Sequence, residues 1–230
     1  MFFDVLNVLS SLPRFHIIAS GTTIFFVIVL LYLKTLGLFN FKLNGKIIFA
    51  PLIVELIFQL ASLLDSNWSI IDSLPLQFSY LTSLSILLYN FINKHKIKSW
   101  LYFAGVWSTT AAFVNTILME NETWYMLMRY YGHHGLLLFY GLESIISGFR
   151  PSLNNYFNTI KITSYVIISV SILNLLIDSN YMFTRTRPDG MNFSILMPEW
   201  PGYFLIILTI GLTFYSILYF LSNRLLKSEL

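Results

Sequence analysis

The chain has 230 residues, of which 56% are hydrophobic and 11% are charged, and its formal net charge is +3 at pH 7. Ordinary soluble domains contain about 25% charged residues, so this composition excludes a soluble globular protein and predicts an all-α polytopic membrane protein. Cysteine is absent, which excludes disulfides, cysteine nucleophiles and thiolate metal sites. The positive charge is explained by membrane topology and does not indicate nucleic-acid binding.

Seven apolar runs are each long enough to cross a bilayer as a helix of about 20 residues. They cover residues 15–33, 47–64, 74–92, 99–118, 124–147, 160–177 and 203–221. Residues 1–14 lack the basic region and cleavage site of a removable signal peptide, so we expect the first run to remain as a membrane helix. The sequence therefore predicts a single seven-helix transmembrane domain over residues 1–230.

The connectors between these runs alternate in the sign of their charge. Lysine and arginine dominate the connectors after the first, third, fifth and seventh runs, whereas the others carry most of the aspartate and glutamate. Because basic residues gather on the cytoplasmic side, we expect the N-terminus outside and the C-terminus inside, in the plasma membrane of a bacterium. The longest connector, residues 178–202, contains turn-forming Pro and Gly and is a candidate lid over the outer face.

The fifth run carries ionisable side chains at membrane depth. At about 1.5 Å per residue, Arg129 falls in the outer third, His133 and His134 near the middle, and Glu143 toward the cytoplasm. Such groups cost on the order of 3 kcal/mol unless they face the bundle interior or water, and they are functional-site candidates by default. Adjacent residues of a helix point about 100° apart, so we expect the two histidines to have different roles.

Other runs contribute polar side chains at a similar depth, namely His16, Gln77, Ser79, Thr82 and Asn115. Together they predict an outward-facing polar cavity, although each alone can equally join two helices through a hydrogen bond worth about 0.6 kcal/mol. Glu55 in the second run needs a proton or a cationic partner, and Arg129 or a histidine is the expected partner.

No metal or cofactor is predicted. His133 and His134 lack the i, i+4 spacing by which one helix presents two ligands, and His95 belongs to a cytoplasmic connector. The sequence also lacks a P-loop, a dinucleotide-binding motif and a G-x-S-x-G elbow. Any chemistry must therefore use histidine, hydroxyl, amide or charged side chains.

Five short motifs follow one another along the chain. They are L-P-L-Q-F-S at 74–79, H-G at 134–135, G-F-R-P at 148–151, N-Y-M-F at 180–183 and W-P-x-Y at 200–203. In these motifs the chain resembles the YwaF-like integral membrane proteins. The resemblance implies a link to acyl transfer onto lysophospholipids, as in animal relatives, and a more distant similarity to multipass lipid hydrolases that use a threonine and a histidine.

The same resemblance assigns His134 to the family histidine that precedes glycine, and Asn180 and Tyr181 to the outer-loop motif. The third-run motif departs from the family, which often has L-P-L-H-x-C or P-C-H where this chain has Gln77 and Ser79. Without cysteine, a hydroxyl must be the nucleophile. The candidates are Ser79 and Thr82, with His134 as the general base.

Two functions of different classes remain open at this point. The first is a membrane-embedded lipid acyltransferase or lipid hydrolase with His134, Ser79 and Thr82 as catalytic residues. Its predicted substrate-binding residues are Arg129, His133, Gln77, Asn115, His16, Asn180 and Tyr181. The second is a non-enzymatic binder or carrier of a small anionic or lipid solute, and a purely structural bundle is a third possibility. Membrane lipids are the expected partners in the enzyme hypothesis.

Overall fold

A computed structural model of the protein describes residues 2–38, 46–91, 94–119, 121–189 and 192–225. Within these ranges the chain is helical and contains no β-strand. The α-helices are α1 (Phe2–Ser10), α2 (Arg14–Thr35), α3 (Ala50–Leu64), α4 (Phe78–Leu84), α5 (Lys94–Trp100), α6 (Val106–Val114), α7 (Trp124–Ile146), α8 (Leu153–Ile177) and α9 (Gly202–Leu225). The predicted all-α class is confirmed for this part of the chain.

Short turns of other helix types extend or join these helices. A π-helical turn at Leu101–Gly105 connects α5 to α6, so that residues 94–114 form one helical rod. Turns of 3₁₀-helix lie at Lys46–Phe49, Ser85–Asn90, Tyr181–Phe183 and Phe193–Leu196. The last two belong to the long connector between α8 and α9.

Several helix boundaries differ from the predicted runs because local turn chemistry interrupts or extends the apolar pattern. The third run becomes helical only at Phe78, after the extended backbone of Gln77 (φ −66°, ψ 144°). The fourth ends before Asn115, which is also extended (φ −143°, ψ 111°). The sixth begins at Leu153 because the Ser152 hydroxyl accepts a hydrogen bond from Asn155 N and caps the helix.

Three of the described helices are long and apolar enough to cross a membrane, namely Arg14–Thr35, Leu153–Ile177 and Gly202–Arg224. Two further apolar helical segments, Ala50–Leu64 and Phe78–Tyr89, are shorter. These helices support the prediction of a transmembrane protein. The count of seven spans and the orientation of the termini stay predictions.

Helix α7 lies at the centre and packs against α2, α3, α4, α6 and the π-helical turn. Glycines let two neighbours approach its backbone closely. A Cβ atom at Gly132 would lie 3.2 Å from the Val54 side chain on α3, and one at Gly141 would lie 2.5 Å from the Val106 side chain on α6. These contacts determine the register of α3 and α6 along α7, and therefore which side chains of these helices meet.

The two ends of α7 have different surroundings. At its C-terminal end, Glu143 forms ion pairs with Lys34 (2.8 Å) on α2 and Lys98 (3.9 Å) on α5. At its N-terminal end lies the connector 178–202, which bonds to the bundle through Gln77 and Asn115. We refer to these as the lysine end and the loop end, and the candidate site lies toward the loop end.

Candidate functional site

A buried ion pair joins α3 to α7. The guanidinium of Arg129, which is 1% exposed, donates from Nε to Glu55 Oε2 (3.0 Å) and from Nη2 to Glu55 Oε1 (2.8 Å). Nη2 also donates to the Ser73 carbonyl at 3.0 Å. The rings of Phe58 and Tyr80 flank the guanidinium, with centroids 3.8 and 4.3 Å from Cζ. The cation thus contacts one bidentate carboxylate, one carbonyl and two aromatic faces.

Two more side chains complete the hydrogen bonding of Glu55. His133 Nε2 lies 3.2 Å from Glu55 Oε2, and Gln59 Nε2 donates to Glu55 Oε1 at 2.7 Å. We call Glu55, Gln59, Arg129 and His133 the ion-pair core. The expectation that Glu55 pairs with Arg129 or a histidine is confirmed for both. A buried carboxylate with this many donors is fixed in place.

His134 points away from the ion-pair core. Its Nδ1 atom lies 2.7 Å from the carbonyl oxygen of Tyr130. Because a carbonyl only accepts hydrogen bonds, Nδ1 must carry a hydrogen, and in the neutral imidazole Nε2 is then the unprotonated nitrogen. The imidazole is therefore held in the tautomer of a proton acceptor.

The side chain of His134 lines a cavity of about 470 Å³ between α4, α6, α7, α9 and the connector 178–202. Ser79 on α4 and Ser108 on α6 line the same cavity. Most of the wall is apolar, including Trp107, Phe183, Phe193, Met197, Ile207 and Ile210. No aspartate, glutamate, lysine or arginine is among the described residues that line it. The residues that line the cavity thus include a histidine and two serines among mostly apolar, uncharged neighbours.

Described residues on both sides of position 190 in the connector 178–202 form one side of this cavity. Gln77 Oε1 accepts a hydrogen bond from Met182 N (2.9 Å), and Asn115 Oδ1 accepts one from Phe193 N (2.8 Å). Met182 and Phe193 are themselves part of the cavity wall. Two side-chain amides from the bundle therefore fasten the connector at two points across the cavity.

The N-Y-M-F motif forms hydrogen bonds that hold the connector against neighbouring segments. Asn174, buried at the end of α8, donates to the Tyr181 carbonyl (2.8 Å) and accepts from Tyr181 N (3.0 Å). The Tyr181 hydroxyl donates to the Ile70 carbonyl (2.8 Å) and accepts from Leu74 N (2.9 Å). Burial raises the pKa of Tyr181, so its hydroxyl keeps its proton for this contact. The motif joins the connector to the segment that precedes α4.

The family comparison covers almost all of this architecture. The TMEM164 family, a family of membrane proteins, matches residues 9–219. The chain belongs to the TMEM164 family. The match includes the whole ion-pair core and every residue of the cavity wall. No curated protein and no solved structure matches the chain.

In this TMEM164 family member, four of the predicted site residues line the cavity, namely His134, Ser79, Gln77 and Asn115. The other predicted site residues have different environments. The Thr82 hydroxyl donates to the Phe78 carbonyl of its own helix at 2.7 Å. Arg129 and His133 belong to the ion-pair core, so neither is part of the cavity wall.

The remaining predicted site residues make contacts that hold the fold together. His16 contacts the Tyr131 hydroxyl through Nδ1 (2.8 Å) and the Phe113 carbonyl through Nε2 (3.3 Å), which joins α2, α6 and α7. Asn180 bonds to the backbone and hydroxyl of Thr186 within the connector. With Tyr181 described above, none of the three lines the cavity.

Sequence reasoning missed Ser108, Tyr130 and Asn174. Tyr130 supplies the carbonyl that fixes the tautomer of His134, and its hydroxyl donates to the Ala112 carbonyl at 2.8 Å. Asn174 was detectable as an amide in an otherwise apolar run, where it needs partners. Ser108 carried no such signal, because serine is common in membrane helices and only the helix register directs it to the cavity.

Proposed function

We propose that this protein is a membrane-embedded lipid acyltransferase or lipid hydrolase with Ser79 as the nucleophile and His134 as the general base. The observation that carries the proposal is the hydrogen bond from His134 Nδ1 to the Tyr130 carbonyl, which makes Nε2 the proton-accepting nitrogen of a residue that lines an apolar cavity. Ser79 lines that same cavity. The resemblance to YwaF-like proteins, in which His134 matches the family histidine, adds support.

The proposed reaction divides acyl transfer into two steps. Ser79 Oγ attacks the acyl carbonyl carbon while His134 Nε2 takes the hydroxyl proton, and the ester C–O bond then breaks as the leaving alcohol receives that proton. The acyl group remains on Ser79. In the second step water, or the hydroxyl of a second lipid, attacks the acyl-enzyme and restores the serine.

The wall of the cavity supports an acyl chain and its ester as the bound part of the substrate. An uncharged, mostly apolar lining suits hydrocarbon, and it offers no side-chain charge to a phosphate. The two arginines of the connector are already paired, Arg185 with Asp178 (2.7 Å) and Arg187 with Glu199 (2.6 Å). We therefore propose membrane lipids as partners, with any charged head group outside the cavity.

In the binder or carrier hypothesis, Arg129, the histidines and Glu55 form a pocket for a small anionic or lipid solute. Because Glu55, the Ser73 carbonyl and two rings already surround that guanidinium, the geometry favours the enzyme hypothesis. In the proposed enzyme, the ion-pair core holds α3 and α4 against α7, and Ser79 and His134 then line one cavity.

The membrane arrangement is part of the proposal. We infer seven spans with the N-terminus outside, in the plasma membrane of a bacterium. The lysine end, where Lys34 and Lys98 meet Glu143, would then face the cytoplasm in accord with the distribution of basic residues. The loop end and the cavity would lie toward the outer leaflet.

The test is turnover by purified protein in lipid nanodiscs that contain phospholipid and lysophospholipid with isotope-labelled acyl chains. We expect release or exchange of labelled acyl groups, detected by mass spectrometry. Ser79→Ala and His134→Ala should each lower the rate about 100-fold or more, whereas Ser144→Ala should not, since that hydroxyl bonds only the Tyr140 carbonyl of its own helix. Full activity of His134→Ala would overturn the proposal, and lipid binding without any turnover would favour a binder.

A further inference from the structure

The wall of the cavity is buried on one helix and exposed on two others. Tyr130 and His134 of α7 are each only 4% exposed, whereas Val114 of α6 is 51% exposed and Ile210 of α9 is 43% exposed. All four residues line the cavity. The cavity therefore reaches the surface of the bundle between α6 and α9.

A contact between these two helices closes the opening at the end farther from the connector. A Cβ atom placed on Gly211 of α9 would lie 3.5 Å from the Trp107 ring of α6, and the rings of Trp107 and Phe214 have centroids 5.3 Å apart. Nearer the loop end, both helices instead present side chains to the cavity. We call this opening the side gap, and it is lined by Val114, Ile207 and Ile210, with Trp107 as its floor.

The side gap has about the depth of one leaflet of a bilayer. From Asn115, which binds the connector, back to Trp107, α6 spans about 12 Å at about 1.5 Å per residue. From Gly202, the first residue of α9, to Gly211, α9 spans about 14 Å by the same rise. One leaflet contributes about 15 Å of hydrocarbon. In the membrane arrangement proposed above, the side gap therefore faces the acyl chains of the leaflet at the loop end.

The chemistry and the size of the cavity suit one hydrocarbon chain. None of the described lining residues is charged. The volume of about 470 Å³ equals on the order of 15 water molecules at about 30 Å³ each. Because a methylene group is similar in size to a water molecule, this space holds a single acyl chain of a membrane lipid and not two.

We propose that one acyl chain of a membrane lipid passes from the leaflet through the side gap into the cavity, while the head group stays at the membrane surface. This inference rests on the proposed function, because it names the route by which that lipid reaches Ser79 and His134. Gln77 and Asn115 hold the connector at the loop end, and a chain that passes between α6 and α9 does not need to release it. This route also keeps the hydrocarbon out of water throughout.

The experiment is photolabelling in nanodiscs with an ether-linked lysophospholipid whose alkyl chain carries a diazirine. An ether cannot be cleaved by acyl transfer, so the label reports binding alone. An adduct on Tyr130 reports a chain inside the cavity, because that residue is 4% exposed. An adduct on Leu205, which is 57% exposed and outside the cavity wall, records contact with bulk lipid. Peptide mass spectrometry gives the ratio of the two adducts.

Two variants obstruct the side gap from opposite helices, and a third is their control. Ile210→Trp and Val114→Trp should each lower the ratio of Tyr130 to Leu205 adducts about 10-fold or more, since each fills the path of the chain. Leu212 has the same 43% exposure on α9 as Ile210 but does not line the cavity. Leu212→Trp should therefore stay within about 2-fold of wild type. Melting temperatures close to that of wild type establish that the variants fold.

The outcomes separate this inference from the proposed function. If wild type carries no adduct on Tyr130, or if all three variants keep the wild-type ratio, the route through the side gap is wrong. Turnover of labelled lipid by the same wild-type protein would in that case leave the proposed function standing. Obstruction by Ile210→Trp and Val114→Trp without any turnover by wild type would support the route and overturn the catalytic roles of Ser79 and His134.

Discussion

His133 and His134 are adjacent in sequence, yet their side chains belong to two regions with different hydrogen-bond partners. In the ion-pair core, His133 adds to a carboxylate that arginine and glutamine already bind. At the cavity, His134 bonds to the Tyr130 carbonyl through Nδ1 and lines a mostly apolar space. The buried charges of the ion-pair core are bonded to one another and stabilise the fold, whereas His134 lies at a cavity in which a ligand can bind.

The largest expected effect is the loss of free energy of unfolding when one member of the ion-pair core is replaced. Arg129→Met leaves Glu55 buried without its cation, so we expect the free energy of unfolding to fall by about 3–5 kcal/mol. Replacing both, as Glu55→Leu with Arg129→Met, should recover much of that loss because no buried charge remains. Chemical unfolding in detergent micelles would measure both. Single variants as stable as wild type would show that the pair does not hold α3 to α7.

Substitution of His134 should mainly lower activity, whereas substitution of His133 should mainly lower stability. We expect His134→Gln to lower turnover about 100-fold or more while its melting temperature stays close to that of wild type. His133→Gln should lower the free energy of unfolding by about 1–3 kcal/mol, since it weakens a hydrogen bond to a charged group, with a smaller loss of turnover. Parallel turnover and thermal-melt measurements check both variants, and the opposite pattern would assign the catalytic role to His133.

The two candidate hydroxyls should differ as sharply as the histidines. Ser79→Ala should abolish turnover, whereas Ser79→Cys should keep measurable activity because a thiolate is also a nucleophile. Thr82→Val should retain most of the wild-type rate, since the Thr82 hydroxyl is bonded to its own helix. Rates of acyl release from labelled lipid decide between them. Loss of activity only in Thr82→Val would contradict the assignment of Ser79.

The smallest effect concerns the two amides that fasten the connector. Asn115→Ala removes the acceptor for Phe193 N and should cost about 1 kcal/mol, which corresponds to a roughly 5-fold higher population of the open connector. In a Ser79→Cys background, a membrane-impermeant maleimide added outside the cell should then react about 5-fold faster. Gln77→Ala provides an independent comparison at the other attachment point. Unchanged labelling in both variants would mean that the connector does not control access.

The sequence predicted most of the helical segments, because apolar runs and charge alternation follow directly from the bilayer. It could not predict where they begin and end. The extended backbone at Gln77 and Asn115 and the cap at Ser152 are local turn features that an average over an apolar window hides. The short helix α1 was not predicted, because its 9 residues are far fewer than a membrane span needs.

For the site, the sequence singled out the residue types that are expensive in a membrane, and this identified Arg129, Glu55 and both histidines as important. It could not separate their roles. That separation depends on the register of α6 and α3 against α7, which close contacts at Gly141 and Gly132 determine. For the same reason Ser108 was missed as a lining residue of the cavity, since its place in the wall depends on helix register and not on its side-chain type.

The central claim is that His134, and not His133, activates Ser79. Its most direct test is the reaction of nanodisc-embedded protein with a fluorophosphonate that carries an alkyl chain, followed by peptide mass spectrometry. We expect the adduct on Ser79 in wild type and in His133→Gln, and at most trace labelling in His134→Gln. Equal labelling of Ser79 in His134→Gln, or an adduct on another hydroxyl, would contradict the claim.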